Sequence, residues 1–267
     1  MTAPGPLARA WAGLALFALL AAVLASPYQS ALYAQAAHLR ALPRRGPGVV
    51  LELVSAVCVV WPLAWAGLWL GRPLGWGAPL LAAAGDAAAW RPPAGRVLGL
   101  ALGVGLALGL GIEAVGQGFA HALPDALRLS AAPAAPPPWT GALGALAAGV
   151  NEEILLRLFL LTLLARLGAR LSPVASASAT GTTRLAIAWG ANAVAALVFG
   201  ALHFSNVWLL GQPFTFPVLA FVLLANGGFG LVCGWLYMSR GIEAAIVAHG
   251  AADLVLHALA PAFGRAL

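Results

Sequence analysis

The sequence predicts an all-α fold, a polytopic transmembrane helix bundle of about seven to eight spans, and three observations carry that reading. The residues AVILMFWYC make up 62% of the chain and charged residues only 8%, where a soluble domain carries about a quarter charged. Mean hydropathy is +0.92. Several apolar runs reach the roughly 20 residues a helix needs to cross a hydrocarbon core about 30 Å thick. For 267 residues, one integral membrane domain spanning 1–267 is the economical organisation.

Read between charged and Pro-rich breaks, the spans fall near 7–26, 49–70, 95–118, 141–167, 184–204, 214–238 and 242–259. Seven is the count, and eight arises if Pro213, Pro217 and Gly227-Gly228 divide the stretch 206–238. The first run, Ala10 to Ala25 behind Arg9, also has the look of a signal peptide, but a retained first span is the preferred reading. Residues 27–48, 71–94, 119–140 and 172–183 have the composition of surface linkers. In the third run, Gly99/Gly103 and Gly105/Gly109 stand four apart, a spacing that lets two helix backbones approach closely, chiefly within the bundle.

The net charge is +6 and every basic residue is arginine. These arginines sit at the ends of apolar runs, where they suit anionic headgroups, so the lipid bilayer is the expected partner and nucleic acid is not. An integral, multi-pass protein of a bacterial cytoplasmic membrane is the expected setting. Arginine is spread over both sets of loops, which leaves the orientation weakly biased. Cys58 and Cys233 lie singly in apolar runs and read as small hydrophobes rather than a disulfide.

An ionisable group within a span costs on the order of 2.5–3.5 kcal/mol on insertion scales, so each one asks for a reason. The densest group is Asn151-Glu152-Glu153-Ile154-Leu155-Leu156-Arg157. Glu153 and Arg157 are four apart, acid before base, and share a helix face on which an ion pair forms. Glu152 is turned about 100° from its neighbour and is left unpaired. A carboxylate beside a second anion in low-dielectric surroundings suits a general base near neutral pH; structural ion pairing is the alternative. Further on, Phe199-Gly200-Ala201-Leu202-His203 ends an apolar helix with an imidazole. The last run stacks His249 and Asp253 on one face, with His257 a further turn along. Three spans thus each supply an acid or an imidazole, in a chain with five histidines and eight acids, and such groups can converge on one buried site. Glu52 and Glu113, the latter with Gln117 one turn on, are left outside it.

These motifs resemble the CPBP intramembrane endopeptidases, also called the Abi family, which includes the CAAX prenyl proteases of the Ras-converting type. That family's signature is Glu-Glu-x-x-x-Arg, Phe-x-x-x-His and His-x-x-x-Asn or Asp on successive helices. Here it reads Glu152-Glu153-x-x-x-Arg157, Phe199-x-x-x-His203 and His249-x-x-x-Asp253, in that order. The resemblance covers about 141–259, the expected catalytic core, and leaves 1–140 unassigned. It implies that Glu152 and His203 activate a water that attacks the scissile carbonyl, while His249 and Asp253 stabilise the oxyanion. Glu153, Arg157 and Phe199 support them. An ionised Asp253 would repel an oxyanion, so its preferred task is to hold the His249 ring in its working tautomer.

No cofactor is expected. Zinc on Glu152, His203 and His249 is the alternative, against which stands the absence of a His-Glu-x-x-His helix. The expected function is cleavage of a membrane-associated protein or lipidated peptide, near its carboxyl-terminal end. A proton-coupled transporter and a non-catalytic immunity or scaffold protein are the competing classes.

Overall fold

The computed structural model describes residues 5–39, 48–84, 93–124, 136–171 and 181–263, and the described residues are helical without a strand. In chain order the helices are α1 (Pro6–Leu39), α2 (Val49–Leu74), α3 (Pro79–Ala82), α4 (Pro93–Gly118) and α5 (138–171). They continue with α6 (Gly181–Leu202), α7 (Phe204–Leu209), α8 (Phe216–Arg240) and α9 (Ile242–Ala262). Helices are what lipid permits, because each spanning backbone must satisfy its own N–H and C=O groups.

Six of these helical stretches are long and apolar enough to cross a membrane, rather than the expected seven or eight: α1, α2, α4, α6 with α7, α8 and α9. The span expected at 141–167 does form a helix, but Glu152, Glu153, Arg157 and Arg166 keep it too polar to count. That polarity is sheltered from lipid, for α5 packs between α1 and α9. Neither does Gly227-Gly228 break α8, which runs unbroken from Phe216 to Arg240 with Pro217 in its first turn. There a proline is harmless, since the first N–H groups of a helix have no intrahelical partner.

The first helix corrects another expectation. It does not stop near residue 26 but continues through Pro27 to Leu39, taking up part of the expected 27–48 linker. Neighbouring helices make such an internal proline tolerable in a membrane bundle. The arginines expected in that linker, Arg40, Arg44 and Arg45, lie outside the described residues, as do 85–92, 125–135 and 172–180 of the other linkers.

The core is mostly apolar, as in a soluble protein, but the outer surface is apolar as well. Large apolar side chains face outward, among them Leu16, Val50, Trp69, Leu110 and Leu197. The buried residues include Glu153, Arg157, Asn192 and His249. Lipid tails are as apolar as leucine, so helix association depends on close packing and internal polar contacts. Both devices are present. A Cβ at Gly105 or Gly109 of α4 would strike the α9 backbone at Ala248 or Ala252, whereas Gly99 and Gly103 have open space around them. On the other side of α9, Gly149 of α5 faces Gly250 N, 3.0 Å from where its Cβ would stand. Asn192 of α6 donates its Nδ2–H to Leu231 O of α8 at 3.0 Å, against Gly234. Helix α9 is therefore gripped by α4 and α5 at the level of His249 and Asp253. Cys58 is exposed, Cys233 is buried, and both are free.

Candidate active site

Helix α5 carries the Glu-Glu pair at the point where Gly149 brings it against α9. Glu153 and Arg157 form the ion pair that their spacing predicts, with Arg157 Nη1 2.9 Å from Glu153 Oε1. The same carboxylate oxygen lies 2.7 Å from His249 Nδ1. With its Nδ1–H donating to Glu153, the imidazole presents Nε2 to the other side. Nε2 lies 3.4 Å from Asp253 Oδ2 and 3.8 Å from Glu152 Oε2. Asp253 thus contacts the ring at Nε2, and Glu153 holds it more closely from the other side, because the α5–α9 contact brings a second helix's acid to Nδ1. Between Glu153 at 0% and Arg157 at 1% exposure, the pair has no solvent to fall back on, and each charge depends on the other.

Glu152 differs from its neighbour in this respect. Its side chain is 36% exposed and faces a cavity of about 600 Å³. His203 follows the last residue of α6, and its Nδ1 lies 2.9 Å from the Phe199 carbonyl. Donation of Nδ1–H to that carbonyl, one turn back, leaves Nε2 as a free acceptor. Phe199 links the motifs. Its ring centroid is 4.4 Å from Arg157 Cζ, 4.6 Å from the His203 ring and 5.9 Å from the His249 ring. Phe229 of α8 closes the apolar side, edge-on to His249 at 4.7 Å.

Glu152, His203, His249 and Asp253, from three helices, all line this one cavity, as does Phe199. Glu153 and Arg157 stand behind the wall, holding His249 and Phe199. Chemically, the arrangement offers a carboxylate and an imidazole acceptor with room for water, opposite a second imidazole whose orientation is fixed from behind. Among the described residues, no group of three or more His, Cys, Asp or Glu side chains is arranged to hold a metal ion. The Glu152, His203 and His249 set considered for zinc shares the cavity without forming such a group.

Other walls of the cavity come from residues outside the motifs: Tyr28 and Tyr33 of α1, Glu52 of α2, Asn151 of α5, Asn226 of α8 and His257 of α9. Glu52, set aside from the sequence, therefore belongs to the cavity, whereas Glu113 is buried elsewhere. A signal existed only for Asn151 and His257, the first adjacent to the Glu-Glu pair and the second one turn beyond Asp253. Nothing in the sequence connects α1 or α2 to this site.

Residues 134–255, a little under half of the chain, match the Rce1-like family, described as type II CAAX prenyl endopeptidase Rce1-like. No curated protein and no solved structure matches the chain significantly. The matched segment contains all three motifs, from Glu152 to Asp253.

Proposed function

On the match of residues 134–255 to the Rce1-like type II CAAX prenyl endopeptidases, we propose that this multi-pass membrane protein hydrolyses a peptide bond near the carboxyl-terminal end of a membrane-associated protein or lipidated peptide. The observation that carries the reading is the meeting of Glu152, His203, His249 and Asp253 on one cavity within the bundle.

In this reading Glu152 takes a proton from a water lodged between it and His203 Nε2. The water attacks the scissile carbonyl, and His249 Nε2 faces the oxygen on which negative charge develops; collapse of the tetrahedral intermediate then breaks the C–N bond as the proton held by Glu152 passes to the leaving amine. General-base activation needs an acceptor within hydrogen-bond reach, which a partly exposed carboxylate on a wet cavity supplies. A donor held by Glu153 needs no reorganisation during the reaction, and in low-dielectric surroundings it is worth more than in water. For that task His249 must carry a proton on Nε2 while Nδ1 is engaged by Glu153, so the imidazolium form is the working state. Glu153 at Nδ1 and Asp253, 3.4 Å from Nε2, hold the ring in place for it. The reaction so drawn uses no metal.

Prenylated proteins fit the name of the matched family, and peptide precursors are the other substrate class. The bacterial cytoplasmic membrane is the proposed setting. A comparison of carboxyl-terminal peptides from cells carrying wild-type or Glu152→Gln protein tests the assignment. Uncut precursors accumulating only in the variant support it. Identical termini in both, at equal protein levels, contradict it.

A further inference from the structure

Tyr28 and His257 form a polar pair on the cavity wall that the motifs do not use. Both lie outside the matched segment, Tyr28 on α1 and His257 just past its end on α9. The Tyr28 hydroxyl is 3.3 Å from His257 Nδ1, and the ring centroids are 5.7 Å apart. Helix α5 is cut back beside the pair. A Cβ at Gly144 would come within 2.7 Å of the Tyr28 ring, and one at Gly141 would strike the His257 carbonyl. Gly144 thus makes room for the Tyr28 ring, while Gly141 lets α5 approach the α9 backbone at His257. The pair shares the cavity with Glu152, His203 and Asp253.

Resting on the proteolytic reading, we infer that His257 is a substrate-binding residue, held by Tyr28, that donates a hydrogen bond to an acceptor oxygen of the bound peptide. A phenol is the better donor of the two partners, so Tyr28 O–H donates to Nδ1 and the imidazole proton resides on Nε2. The imidazole then has one free donor and lines the same cavity as Glu152. The groups facing it are Tyr28 from α1, Gly141 from α5 and Asp253 one turn earlier on α9. Two oxygens have the required chemistry: a main-chain carbonyl and the substrate's terminal carboxylate. Glu52, Glu152 and Asp253 on the same cavity weigh against the second. Tyr28 acts through His257 and is a positioning residue.

The test is steady-state cleavage of a fluorogenic farnesylated CAAX peptide by the full chain in proteoliposomes, with the peptide as free acid and as terminal amide. One neutral hydrogen bond corresponds to about three- to tenfold in affinity. His257→Ala should raise KM by about that factor with kcat nearly unchanged, the signature of lost ground-state and transition-state binding alike. His257→Gln, which retains an amide donor near the Nε2 position, should recover most of it, and Tyr28→Phe should show a smaller KM increase. A KM effect with both peptides assigns the oxygen to the main chain; an effect with the acid alone assigns it to the carboxylate. Cleavage with unchanged KM in His257→Ala, or equal losses in Ala and Gln variants of intact fold, overturns the subsite. A farnesylated peptide that wild type does not cleave and that Glu152→Gln protein does not bind overturns prenylated proteins as the substrate class, and the subsite inferred for them.

Discussion

Glu153 Oε1 receives His249 Nδ1 at 2.7 Å while also lying 2.9 Å from Arg157 Nη1. One buried carboxylate therefore connects the ion pair of α5 to the imidazole of α9, and the second acid of the Glu-Glu motif has a task distinct from the first.

Removing that carboxylate leaves Arg157 buried without a counter-charge, a loss of about 3–5 kcal/mol for a buried pair. Glu153→Ala should therefore melt well below wild type in detergent and lose cleavage. Glu152→Gln, altering a side chain open to the cavity, should melt near wild type. Equal melting of the two variants would refute the division of labour.

Phe199 stacks on the Arg157 guanidinium, a contact worth about 2 kcal/mol when desolvated. Phe199→Leu keeps most of the apolar volume but loses the aromatic face. Reduced thermal stability and at least a tenfold loss of cleavage are expected, because the His203 and His249 rings lean on the same side chain. Wild-type turnover in that variant would show that the ring is only filling space.

Asp253 stands where the family signature takes Asn or Asp. Asp253→Asn should retain cleavage within about tenfold, with the loss attributable to a weaker hold on the His249 ring. Asp253→Ala should lose more. Complete loss in the Asn variant, with normal melting, would assign the charge itself to the chemistry.

Gly105 and Gly109 face the α9 backbone, whereas Gly99 and Gly103 face open space. Valine at Gly105 or Gly109 should push α9 away from α5 and lower both stability and activity, with overpacking costing about 1–3 kcal/mol or more. Alanine at Gly99 or Gly103 should be tolerated. Melting curves of the four variants provide the comparison.

Much of this was legible in the sequence, for reasons that particular residues make clear. Spans near 49–70, 95–118 and 242–259 coincide closely with α2, α4 and α9, because long apolar runs in lipid have helix as their solution. The i,i+4 spacing of Glu153 and Arg157 was enough to anticipate their contact. The extension of α1 past Pro27 was not legible, since a proline followed by polar residues resembles a helix end until neighbouring helices are known. Nor was the Glu153–His249 contact, which depends on how closely Gly149 lets α5 approach Gly250. Tyr28 and Glu52 reach the cavity from helices that no motif marks, and hydropathy carries no information about which faces of distant spans converge.

The most direct measurement is cleavage of a farnesylated CAAX peptide by purified protein in proteoliposomes, comparing wild type with Glu152→Gln and His203→Ala, each with and without a zinc chelator. Chelator-insensitive cleavage by wild type, with a loss of at least a hundredfold in both variants at unchanged melting temperature, is the expected result. Undiminished cleavage in Glu152→Gln would contradict the assignment of the water-activating base, and cleavage abolished by the chelator and restored by zinc would contradict the metal-free reaction.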